Sequence, residues 1–169
     1  DGYNALGLSS LVEAVKDLGE LLVVAPDRPQ SGMGHAITVN EPLRCYPIDF
    51  FENIKAFCCT GTPVDCVKMG LYQLNGRKPD LILSGINHGS NVSTNVLYSG
   101  TMSAAVEGAL EGIKSIGFSL TDYSSEADFT ASREVVAKIT KNVLENGLKE
   151  GTCLNVNVPD VPLNKIKGI

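Results

Sequence analysis

Three polar loops of this chain carry residues of the types that do chemistry: Asp1-Gly2, Pro26 to Gly34, and Gly85-Ile86-Asn87-His88-Gly89 with its continuation to Ser99. Together they offer a carboxylate, hydroxyls and carboxamides. Oxygen donors of this kind suit hard cations such as Mg²⁺ or Mn²⁺, whereas zinc usually takes His or Cys. Asp, Asn, Ser and Gly are also the favoured turn residues, so ordinary turn chemistry accounts for any one loop taken alone. Tyr98-Ser99-Gly100-Thr101 opens a helix. Ser99 is a good N-cap, and Gly100 beside it lets a ligand approach the free N–H groups and positive dipole end, a place for phosphate. A plain cap explains the same residues.

Other chemistries find no support. There is no GxxxxGK[ST] phosphate loop, and Ile37 stands where a dinucleotide fingerprint begun by Gly32-Met33-Gly34 needs its third glycine. Neither a GxSxG elbow nor an HExxH helix occurs. The two histidines, His35 and His88, read as hydrogen-bonded loop residues. Adjacent Cys58 and Cys59 read as core packing, because neither has an evident activating base.

The elements that must hold these loops alternate between helix and strand. Leu6, Leu8, Leu11, Val12, Val15 and Leu18 recur at helical spacing, with Gly19 as a stop. Leu21 to Ala25 is a short apolar run closed by Pro26, a strand covered on both faces. Residues 36–57 read as short strands or a hairpin. Lys55 to Thr60 is a strand, and Thr62-Pro63-Val64-Asp65 then predicts a capping box with proline in the first turn of a helix reaching about Leu74. A strand over Pro79–Gly85, a helix over Tyr98–Leu110, a strand over Ser115–Leu120, an amphipathic helix over Ala131–Leu144 and a strand over Cys153–Val158 complete the series. The expected fold is α/β, a three-layer, Rossmann-like, mainly parallel sheet with helices on both faces, in one domain spanning 1–169. Ligands of such sheets gather at the carboxyl ends of the strands, where the three loops sit. A helix starting directly after Asp1-Gly2 calls for a strand feeding it from the centre of the sheet. We expect that first strand, about five apolar residues and a polar pair ending in Asp, to precede Asp1.

Composition bounds the function. The 169 residues carry 14 Lys+Arg against 19 Asp+Glu, a net charge of -5, with 43% apolar and 20% charged residues. One domain with a real core is expected, and the acidic balance argues against binding nucleic-acid polymers or anionic membranes. Five cysteines without CxxC spacing read as reduced, cytosolic and mostly buried. No apolar run approaches the length of a membrane span.

Five motifs in order resemble the SurE (survival protein E) family of metal-dependent nucleotidases. Asp1-Gly2 is similar to the end of its opening "NDDG". Ala25-Pro26-Asp27-Arg28 followed by Gln30-Ser31-Gly32 resembles "APD…SG", and Gly61 to Val67 matches "GTPxDCV". Ser84 to Asn91 matches "SGINxGxN", and Tyr98 to Gly108 matches "YSGTxxAAxEG". The resemblance implies a phosphomonoesterase that releases phosphate from nucleoside monophosphates, a 5'-nucleotidase with 3'-nucleotidase or exopolyphosphatase activity as further options. It implies one divalent metal, Mg²⁺ or Mn²⁺, held by Asp1, Ser31 and Asn87. Asn91, Ser99, Gly100 and Thr101 fall where the family meets the substrate, so that Asp1, Asn87, Asn91 and Ser99 form the implied catalytic set. A cytoplasmic homodimer or homotetramer, assembled through a C-terminal arm beyond this chain, goes with the family. Direct attack by water is the simpler mechanism, because no activated serine or cysteine is evident. A non-catalytic nucleotide- or phosphate-binding module is the alternative, and a structural α/β subunit is a third reading that leaves the clustered Asp, Ser and Asn unexplained.

Overall fold

The structure, a computed structural model, describes residues 2–124 and 126–168. Its first helix, α1 (Leu6–Val15), buries Gly7, Leu11, Val12 and Val15 on one stripe. It ends before the Gly19 stop expected from sequence, because the Leu18 N–H turns back to the Val15 carbonyl at 2.9 Å. The chain then forms β1 (Leu22–Pro26), β2 (Cys45–Ile48) and β3 (Lys55–Cys59). β1 runs parallel to β3, and β2 pairs antiparallel with it as the expected hairpin.

Helix α2 (Pro63–Gln73) starts on the predicted capping box. The Asp65 N–H donates to Thr62 Oγ1 at 3.2 Å, and the Thr62 N–H donates to Asp65 Oδ2 at 2.9 Å. Strand β4 (Ile82–His88) departs from expectation by starting later and running through Gly85 to His88. Asn87 therefore sits at the end of a strand and not in the loop beyond it. The pairing with β5 (Ser115–Leu120) shifts register between Ser84 and Asn87. Glycine makes the shift feasible: Gly85 has φ +122°, and a Cβ there would strike the Phe118 carbonyl. The single helix expected from Tyr98 is two, α3 (Asn95–Tyr98) and α4 (Gly100–Leu110), because Ser99 is extended at φ -75°, ψ 117°. Helix α5 (Thr130–Asn146) and strand β6 (Cys153–Val158) follow, with Gly147 closing α5 at φ 78°.

β4, β5 and β6 are parallel, and all six residues of β5 are buried. Helices α1 and α5 pack on one face and α2 and α4 on the other, giving the three-layer α/β arrangement expected. The main core joins Leu11, Val15, Ile116, Phe118, Leu120 and Val136. Burying each such side chain contributes about 1.5–3 kcal/mol.

The strands form two three-stranded sheets, β2-β3-β1 and β4-β5-β6, in place of one continuous sheet. A cavity of about 1050 Å³ is lined by both β1 and β4, the edges that the two sheets turn towards each other. Among the described residues, no helix is long and apolar enough to cross a membrane.

Candidate active site

The carboxyl ends of β1 and β4 open onto the same cavity, and Gly2, Ser31, Asn87, Asn91, Ser99, Gly100 and Thr101 line it. The cavity also extends along the lengths of β1 and β4, so these positions share it with many apolar neighbours such as Leu11, Val23 and Ile82. Asp1 lies outside the described residues. Its neighbour Gly2 is buried, and a Cβ there would lie 3.5 Å from Arg28 Cα and the Pro26 carbonyl oxygen. The Tyr3 N–H donates to that Pro26 carbonyl at 2.9 Å, which ties the chain's opening to the loop carrying Ser31.

Asn87 is half-buried. Its Nδ2 donates to the carbonyls of His88 at 2.9 Å and Gly89 at 2.8 Å. With the amide hydrogens turned into its own loop, Oδ1 is the atom left to meet a cation, and a carboxamide oxygen is a hard-cation donor. Ser31 is exposed and adds a hydroxyl oxygen. The oxygen character of both donors fits Mg²⁺ or Mn²⁺. Among the described residues, no group of three or more His, Cys, Asp or Glu side chains is placed to hold a metal.

Ser99 caps α4, with its Oγ accepting from the Met102 N–H at 3.0 Å. The cap uses a lone pair, so the hydroxyl hydrogen is left to donate into the cavity. Gly100 and Thr101 follow in the first turn, where helix N–H groups have no intrahelical partner. Gly100 cannot be larger without displacing Pro63, whose Cγ would lie 2.9 Å from an added Cβ.

Asn91 is 4% exposed and held by residues that sequence reasoning passed over. Its Nδ2 donates to Ser119 Oγ at 2.7 Å, its N–H donates to Asn157 Oδ1 at 2.8 Å, and its carbonyl accepts from Asn155 Nδ2 at 2.7 Å. The phosphate position expected for Asn91 thus belongs to a side chain already fixed by hydrogen bonds. Asn155 and Asn157 alternate at the end of β6, an i, i+2 polar pattern in an otherwise apolar strand that marks one face as functional.

The loop that carries Ser31 is fastened by ionic groups that lie outside the cavity lining. The Ser31 loop is bound to α3 by the Gly34 N–H donating to the Tyr98 carbonyl at 3.0 Å and to α2 by the Thr38 hydroxyl donating to Asp65 Oδ2 at 2.7 Å. Glu107, only 5% exposed, takes His35 Nε2 at 2.8 Å and the Lys68 ammonium. Burial pushes the Glu107 carboxyl up, yet the hydrogen bonds from Lys68 and His35 outweigh it and hold the pKa below its ordinary value. His88 is structural as expected, with Nδ1 3.1 Å from the Ser124 carbonyl oxygen and its ring edge-on to Phe129. Cys59 is fully buried; the Cys66 thiol beside it lowers its pKa to about 7, but no part of it is exposed to attack a substrate.

The comparisons with known proteins agree with this geometry. The family model described as "Survival protein SurE" matches residues 1–169. The chain is 57% identical over 171 residues to a 5'-nucleotidase SurE of Christiangramia forsetii and 55% identical over 170 residues to one of Cytophaga hutchinsonii. In both cases all of this chain and 66% of the relative are covered, so the chain spans about two thirds of the length of these curated relatives. The crystal structure of the SurE protein from Aquifex aeolicus superposes with a TM-score of 0.91 at 45% identity, covering 100% of this chain and 67% of that one. A family model matching the whole chain, relatives more than half identical to it and a shared fold lead to one conclusion: the chain is a member of the SurE family.

Proposed function

We propose that the chain carries the site of a divalent-metal-dependent phosphomonoesterase acting on nucleoside monophosphates, a 5'-nucleotidase. The observation that supports this reading is that Ser31, Asn87, Asn91 and the Ser99 helix start all line the cavity onto which the carboxyl ends of β1 and β4 open. The names of the relatives support the same activity. Ser31 and Asn87 would hold the cation together with Asp1. When bound, a divalent cation offsets phosphoryl charge and supplies a nucleophilic water at neutral pH. The chain's own residues do the rest. The Ser99 hydroxyl and the Gly100 and Thr101 N–H groups grip the phosphoryl oxygens, and Asn91 fixes their orientation. Water then attacks phosphorus, the ester P–O bond breaks, and the departing nucleoside oxygen takes up a proton. An oligomer and a cytoplasmic location accompany this reading through the family resemblance alone.

The cavity between β1 and β4 supports a related proposal. An extended segment between these edges would pair with both sheets and fill the slot. Five residues of strand span about 17 Å.

The deciding experiment measures phosphate release from AMP by the full-length protein with Mg²⁺, with Mn²⁺ and after chelation. Metal-dependent turnover is expected. Tight AMP binding without turnover would favour the phosphate-binding module, and turnover that survives chelation would refute the metal assignment.

A further inference from the structure

Glu107 sits two turns beyond Ser99 on α4, in helical line with Ser99 and Ser103, whose hydroxyl donates to the Ser99 carbonyl at 2.7 Å. The carboxylate is nearly sealed from solvent, yet it faces away from the catalytic end of its helix. Its partners come from two other elements. Lys68 lies on α2, and His35 lies four residues after Ser31 on the long loop that follows β1. The same loop is fastened at three further points: the Gly34 N–H on the Tyr98 carbonyl, the Ala36 carbonyl under the Thr62 hydroxyl at 2.7 Å, and Thr38 on Asp65. Gly34 lies so close that an added Cβ would sit 3.0 Å from the Leu97 carbonyl oxygen. Every one of these contacts joins the loop to α2, α3 or the turn before α4. Only the His35 contact reaches the body of the helix that Ser99 caps.

An exposed loop bearing a hydroxyl needs such a tether if that hydroxyl is to stay at fixed distance from groups on another element. We propose that His35, through its hydrogen bond to the buried Glu107 carboxylate, is a positioning residue that sets the Ser31 loop against the Ser99 helix. It rests on the nucleotidase reading for its consequence, but the tether itself is a property of the fold. His35 is half-exposed and contributes little to the core, so its removal loosens the loop without unfolding the domain. Outer contacts of this kind cost about 10–100-fold in metal affinity or activity when lost.

The test uses the full-length wild type, His35→Ala and His35→Gln, the last of which restores a nitrogen donor of similar reach. Three quantities are read: hydrogen exchange of the 32–38 amides, affinity for Mn²⁺ alone by calorimetry, and kcat and KM on AMP. His35→Ala is expected to speed exchange in 32–38 about tenfold while α4 keeps its protection, and to lower both Mn²⁺ affinity and kcat by about tenfold with KM changed less. His35→Gln should recover most of each loss. Unchanged loop exchange in His35→Ala overturns the proposal, as does a Gln variant no better than Ala. Equal loss of protection across α4 would assign His35 to general stability and overturn it too. A wild type that neither binds Mn²⁺ nor hydrolyses AMP would refute the nucleotidase reading, and the exchange measurement would still decide the tether.

Discussion

Ser99 caps a helix and has a proposed second role at phosphate, and a pair of substitutions separates the two. Its oxygen accepts the Met102 N–H at 3.0 Å, and the residue is 9% exposed. Ser99→Ala removes the cap, which costs about 0.5–2 kcal/mol. For a domain of this size that corresponds to a fall in Tm of about 1–8 °C. If the hydroxyl also grips phosphate, activity on AMP falls at least about tenfold, since losing one donor to a developing anion typically costs more than a cap. Ser99→Asp sharpens the contrast. Aspartate caps as well as serine and complements the helix dipole, so Tm should hold or rise. Its negative charge, placed where phosphate must sit, should reduce kcat/KM further than alanine does. Thermal melts and AMP kinetics on the three proteins decide the matter. A fully active Ser99→Asp protein, or activity that merely tracks the folded fraction, would refute the phosphate role and leave Ser99 as a cap.

Asp65→Ala should destabilise the protein by about 2–4 kcal/mol, seen as a lower denaturation midpoint, because Thr62 and Thr38 lose their shared acceptor. Acid should weaken the Ser31 wall through Glu107: its folded pKa is depressed, so its contribution is present above the unfolded value near 4.5 and is lost as pH falls below it through the folded pKa. Denaturation curves between pH 6 and 3 should show this loss, and Glu107→Gln should reduce it. A recombinant 1–169 chain should unfold with weak cooperativity and bind an apolar dye, since among the described residues no strand pairs with the β1 and β4 edges that line the cavity. A chain extended by an apolar strand ahead of Asp1 should melt higher, and equal melting of the two would refute the slot.

Much of this architecture was legible in the residues. The capping box at Thr62 and Asp65, the buried strand at Ser115–Leu120 and the cap at Ser99 rest on local chemistry that neighbours do not override. One misread segment was Gly85–Asn87, where glycine normally signals a loop; the single sheet and the unbroken helix from Tyr98 were others. Pairing with β5 carries the strand through Gly85–Asn87, and pairing partners distant in sequence leave no local mark. The same limit hid the supports of the site. Ser119, Asn155 and Asn157 meet Asn91 only because β5 and β6 lie side by side, and His35 meets Glu107 across 72 positions. The donors of the site are short-range patterns, whereas their fastenings are products of topology.

The two walls of the cavity are fastened by different kinds of group, and that difference sets how the protein responds to its surroundings. The hydrogen bonds that hold Asn91 are made by amides and a hydroxyl, none of which gains or loses a proton between mild acid and mild base. The wall at Ser31 is fastened through Glu107, Lys68, His35 and Asp65, all of them ionisable. Acidity and salt therefore weigh more on the fastenings of the Ser31 loop, through Glu107, than on the hydrogen bonds of Asn91. In acid the Ser31 loop should loosen before the asparagine cluster does.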